Sequence, residues 1–117
     1  MAIMPPFPDR RAAAAAGLLH RVFDGLHWPL TFRLWDGSTM HVGGREESGF
    51  TVVFRTPEIL KRLLRRPTPL RFGEAFISGE IDIEGDMFAA MLAATKVERM
   101  QVPLATRARV LVGLLTI

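Results

Sequence analysis

Residues 72–88, FGEAFISGEIDIEGDMF, carry the reading on which the fold of this chain turns. From Ile77 to Glu84 one side is apolar or Gly and the other polar, which predicts a strand over Phe76–Glu84. Ile77, Ile81 and Ile83 would point inward, and Glu80, Asp82 and Glu84 outward. Gly79 reads as a bulge and Gly85 as a strand-to-helix turn. Asp86 then caps a helix to about Thr95, built on Met87, Phe88, Met91 and Leu92.

Just upstream the charge changes sign. Residues 55–71 hold Arg55, Lys61, Arg62, Arg65, Arg66 and Arg71 against the single acid Glu58. Thr56-Pro57-Glu58 is a well-formed helix start: Thr caps, Pro fills the first turn, and Glu lies at the positive end of the dipole. The helix 57–66 puts Ile59, Leu60, Leu63 and Leu64 on one side and its four cations on the other. Pro67 and Pro69 would end it.

Further out, residues 1–9 form a proline-containing arm. Asp9 caps a helix from about Arg10 to Leu26. Leu30–Trp35, Thr39–Val42 and Phe50–Arg55 read as strands. Asp36-Gly37 signals a tight hairpin with a primed turn. A last helix spans 104–117. The order α-β-β-β-α-β-α-α predicts an α+β domain: a small antiparallel twisted sheet with helices on one face.

Composition narrows the chemistry. Cys is absent, so disulfides and thiolate chemistry are excluded together. His20, His27 and His41 have no metal-ligand spacing, and the carboxylate row 80–84 lacks the order of a calcium loop. That row reads as an acidic face answering Arg71 or the basic helix. No phosphate-loop glycine pattern and no serine elbow occurs. The expectation is no catalytic, cofactor or metal residue within this sequence. No aromatics interleave the cations, which argues against nucleic acid. No apolar run approaches the ~20 residues of a spanning helix, and AAAAAGLL (12–19) lacks the polar spacer and cleavage site of a signal peptide. The expectation is a cytoplasmic, peripherally membrane-associated protein.

The hairpin Trp35-Asp36-Gly37, the run PEILKRLL (57–64) and FGEAFISGEIDIEGDMF together resemble the N-terminal region of cyclopropane-fatty-acyl-phospholipid synthases and related mycolic-acid-type methyltransferases. The likeness extends from about residue 28 onward. Phe76 stands where that family often has Tyr. The resemblance implies a sterol-carrier-protein-2-like fold and a parent enzyme that modifies unsaturated phospholipid acyl chains with S-adenosylmethionine. The cofactor and bicarbonate sites would lie in a C-terminal Rossmann-like methyltransferase domain outside this sequence.

The expected organisation is therefore an arm over 1–9, a lipid-engaging domain over 10–100, and a linker helix over 101–117 leading to that catalytic domain. Lys61, Arg62, Arg65 and Arg66 are the candidates for anionic headgroups. Leu60, Leu64, Phe72, Phe76 and Met91 are the candidates for an apolar lipid lining. Two alternatives stand beside this reading: a stand-alone lipid carrier, and an architectural domain that forms a homodimer through its last helix.

Overall fold

The computed structural model describes residues 9–44, 46–66, 68–99 and 104–117. The arm expected over 1–9 lies, Asp9 apart, outside these residues, as do Pro67 and the loop around Pro103. The chain forms a four-stranded sheet and five α-helices, an α+β fold.

Helix α1 (Arg10–Phe23) starts where expected, and a 3₁₀ turn (Asp24–Leu26) continues it. Asp9 Oδ1 accepts from the Arg11 N–H at 2.8 Å, satisfying one orphan donor of the first turn. Ala12, Ala15, Leu18, Leu19 and Val22 recur on one buried face.

Strand β1 (Leu30–Arg33) pairs antiparallel with β2 (Thr39–Val42). The hairpin between them departs from the expected primed turn. Positive φ falls on Gly37 and not on Asp36. The Gly37 N–H donates to the Leu34 carbonyl, and the Leu34 N–H donates to the Ser38 carbonyl, both at 2.9 Å. A three-residue loop with one left-handed glycine results, and it needs only one such residue where the type I′ turn that Asp-Gly favours needs two. Asp36 Oδ1 secures it by accepting from the Ser38 N–H at 2.9 Å.

Strand β3 (Phe50–Phe54) lies beside β1 and parallel to it, with Phe32 opposite Val52. The sheet order is β2-β1-β3-β4, so the sheet is mixed and not wholly antiparallel. Side-chain alternation reports which face a residue occupies and is silent on strand direction, so it could not have shown this. Ser48 holds the β2–β3 connection in place. Its Oγ donates to the Phe50 carbonyl at 2.6 Å and lies 2.8 Å from Oγ1 of buried Thr31.

Helix α2 (Pro57–Arg65) buries Ile59, Leu60, Leu63 and Leu64, and Thr56 Oγ1 accepts from the Ile59 N–H. In place of the strand expected over 76–84 stand the end of a helix, a glycine turn and a shorter strand. Residues 69–77 form helix α3 (Pro69–Ile77), and β4 begins only at Ile81 (Ile81–Gly85). Thr68-Pro69 repeats the start seen at Thr56-Pro57, with Thr68 Oγ1 accepting from the Arg71 N–H. Gly79 is no bulge. It sits at φ +80° just past the helix, where its N–H bonds the Phe76 carbonyl and the Glu80 N–H bonds the Ala75 carbonyl. That double closure is the Schellman stop, which favours glycine.

Helix α4 (Met87–Arg99) runs four residues past the expected end, capped by Asp86 through Phe88 N–H and Ala89 N–H. Its buried residues are Ala90 and Ala93, whereas Phe88, Met91 and Leu92 are exposed. Helix α5 (Leu104–Gly113) packs on α1 and ends in a 3₁₀ turn (Leu114–Thr116).

The helices cover the sheet face that carries Leu30, Phe32, Phe50, Val52, Phe54 and Ile81. Phe32 stacks on Phe54 with ring centroids 5.7 Å apart and meets Phe23 at 5.5 Å. The other face is polar. Arg33 meets Glu84 at 2.8 Å and Arg55 meets Asp82 at 3.7 Å across it.

Candidate functional site

Helices α3 and α4 lie side by side over the sheet without filling the space beneath them. The inward stripe of α3 is Pro69, Phe72, Gly73 and Phe76; that of α4 is Met87, Ala90, Met91, Ala94 and Val97. Both follow helical spacing, so each presents one face. The cause of the space is residue size. Gly73, Ala90, Ala93 and Ala94 are too small to meet across the gap. A cavity of about 290 Å³ remains, walled entirely by apolar residues and floored by sheet and α1 side chains such as Phe32, Val52 and Ile83. Such a space offers water no hydrogen-bonding partners.

One end of the cavity opens at Phe76, Met87 and Met91. Met91 is 64% exposed, and just outside the lining Ile77 and Phe88 are 85% and 81% exposed. Ile77, expected to point inward from a strand, instead projects from the last turn of α3. A cluster of exposed large apolar side chains is costly in water and marks a contact surface.

At the other end lies a groove of about 670 Å³ that mixes Leu64, Leu70 and Val110 with Arg65, Arg66, Glu98 and Arg107. Pro69 and Val97 line both spaces, so the groove and the cavity share a wall.

Of the five candidate lining residues, Phe72, Phe76 and Met91 border the cavity. Leu60 is fully buried in the core, and Leu64 lines the arginine groove instead. Of the four candidate cations, Arg65 and Arg66 line the groove. Arg62 is engaged by Glu80 in an ion pair, and its carbonyl accepts from Arg71 Nη2. Lys61 is half-buried on α2 outside both spaces. Glu80, Asp82 and Glu84 pair with Arg62, Arg55 and Arg33 respectively, so the acidic row diverges onto three partners. Among the described residues no cluster of three His, Asp or Glu side chains could hold a metal ion, and no helix is long and apolar enough to cross a membrane.

The sequence reading missed Arg107, Ile77 and Phe88 as surface features. Arg107 had no local signal, because α5 reaches α2 and α3 only through tertiary packing. Ile77 and Phe88 had one: they flank the helix-stop Gly79 and the capping Asp86, positions that lie at element ends.

The chain is thus a small α+β domain with an apolar cavity between two of its helices and the sheet. A family model described as "Domain of unknown function (DUF7884)" matches residues 17–102, and the chain belongs to that family. The chain is also similar to a protein of Pseudomonas putida named "Probable fatty acid methyltransferase", at 32% identity over 66 residues. The match covers 56% of this chain and 16% of that protein, so the chain spans a small part of its relative. No solved structure matches.

Proposed function

We propose that this chain is a non-catalytic, lipid-engaging domain of a methyltransferase of the cyclopropane-fatty-acyl-phospholipid synthase kind, acting on unsaturated phospholipid acyl chains. The observation that carries the reading is the apolar α3–α4 cavity with its exposed rim of Ile77, Met87, Phe88 and Met91. The similarity to a probable fatty acid methyltransferase supports it. Chemistry and S-adenosylmethionine would belong to a separate methyltransferase domain of the parent protein.

The physical task is to bring a soluble active site to a chain buried in a bilayer. The rim enters the acyl boundary, where each large apolar side chain gains about 1.5–3 kcal/mol on leaving water. The cavity's end-to-end reach is set by the helices. From Pro69 to Phe76 the helix rises through seven residue steps, about 10 Å at ~1.5 Å per residue. Arg65 and Arg66 then lie near the height of the headgroups when the rim is inserted. Cations there contribute about 1 kcal/mol each against an anionic surface. The protein would thus be peripheral, at the cytoplasmic leaflet.

Sedimentation with anionic vesicles tests this. Ile77→Asp with Phe88→Asp should abolish binding without changing the folded circular dichroism spectrum. Undiminished binding by that variant would remove the basis of the reading. The isolated chain should show no methyl transfer from S-adenosylmethionine to vesicle lipid, and measurable turnover would overturn the non-catalytic assignment.

A specific observation also favours an architectural role in the same protein. Leu104, Val112 and Leu115 of the C-terminal helical segment are 80%, 66% and 85% exposed. Concentration-dependent dimers in sedimentation equilibrium, lost in Leu115→Asp, would establish it. A monomer at all concentrations would exclude self-association.

A further inference from the structure

The apolar cavity and the arginine groove are adjoining spaces of opposite character, and the same two residues, Pro69 and Val97, wall both. We infer that together they hold one single-chain anionic amphiphile, its head at Arg65, Arg66 and Arg107 and its tail in the α3–α4 slot. The inference rests on the lipid-engaging reading and goes beyond it. Surface docking requires only the rim, whereas this site takes a single molecule out of the bilayer.

Charge selects the head. Three arginines line the groove against one acidic residue, Glu98. Elsewhere on the molecule Arg11, Arg33, Arg55 and Arg62 each meet a carboxylate. Among the described residues, Arg65, Arg66 and Arg107 take part in none of these ion pairs, which leaves their donors open to an anion. Guanidinium forks match phosphate and carboxylate oxygens two at a time, so the head is an anion of that type.

Size selects the tail. An apolar cavity of ~150 Å³ accommodates benzene, which has six carbons, so ~290 Å³ corresponds to about twelve. That is one acyl tail in part or whole, and too little for two. The slot's all-apolar wall rejects a free inorganic anion as its occupant, since nothing there would replace the lost water.

The probe is dodecyl phosphate, titrated calorimetrically into the full 117-residue chain below the micelle concentration. The expected result is one molecule per chain, bound at least ~10-fold more tightly than inorganic phosphate and than dodecanol. That ratio corresponds to about 1.4 kcal/mol for either half of the molecule. Arg107→Ala, a change on an exposed side chain, should weaken dodecyl phosphate about fivefold and leave dodecanol unaffected. Phe88 lies outside the slot, so Phe88→Asp should weaken vesicle binding and leave monomer binding intact. Inorganic phosphate binding as tightly as dodecyl phosphate would overturn the proposal. So would unchanged affinity in Arg107→Ala, or vesicle binding with no monomer binding; the last would leave surface docking standing. Monomer binding without vesicle binding would uphold the site and overturn surface docking.

Discussion

Asp9 joins two parts of the fold with one carboxylate. Oδ1 caps α1, and Oδ2 accepts from Trp35 Nε1 at 2.6 Å. The Trp35 hydrogen bond is the main reason its pKa lies below the ordinary carboxylate value, with the first-turn amides and Arg11 adding to it against some desolvation. A depressed folded pKa means the charged form is favoured by folding. The stabilisation is therefore full above the unfolded pKa of about 3.9 and is lost as pH falls through the lower folded value. In Trp35→Phe the Asp9 carboxyl should titrate at a higher pH by NMR, and an unmoved midpoint would show that the indole bond is not the cause. Gly79 is the second decisive residue. A Cβ there meets nothing within 4 Å, so Gly79→Ala should cost only the backbone strain of φ +80°, about 1 kcal/mol in denaturant unfolding. A cost several times larger would mean the Schellman stop is not the relevant constraint.

Two short helices share one construction. Thr56-Pro57 and Thr68-Pro69 each place a capping hydroxyl before a proline in the first turn. The first was legible because an amphipathic pattern follows it at once. The second was hidden because FGEAFISGE fits alternation from Ile77 onward and helical spacing before it. The capped start and the glycine stop decide in favour of the helix, since they satisfy backbone groups that an isolated strand would leave unpaired. Thr68→Ala should then destabilise by about 1 kcal/mol, with Thr68→Asp restoring it. No loss in either variant would make the cap irrelevant to α3. The acids Glu80, Asp82 and Glu84 matter less. Their ion pairs join side chains 38–56% exposed, so Glu84→Gln should cost under ~1 kcal/mol and that cost should vanish in high salt.

At the scale of the whole molecule, the proposed membrane docking would draw separable contributions from the rim and the arginine groove. Salt distinguishes them. Arg65→Ala with Arg66→Ala should weaken binding to anionic vesicles at low salt and make little difference near ~1 M, where the screening length is about 3 Å. Phe88→Asp should weaken binding in both. Equal salt sensitivity of the two variants would show that the surface does not divide in this way. The exposed stripe of the C-terminal segment lies on other residues, so changes at Leu115 should leave the vesicle assay unaltered.

Local patterns determined much of this protein by themselves. The faces of β1 and β3, the capped starts of α1, α2 and α4, and the divided surface of α2 all follow from spacing within a few residues. So does the exposure of Arg65 and Arg66 at the end of α2. Tertiary structure alone decided the parallel pairing of β1 with β3, because face alternation carries no direction. It also decided that Arg62 is taken up by Glu80, that Leu60 belongs to the core, and that Arg107 joins Arg65 and Arg66. Above all it decided that small residues on α3 and α4 face each other. A cavity is a property of two surfaces at a fixed distance, and no single stretch of sequence contains both.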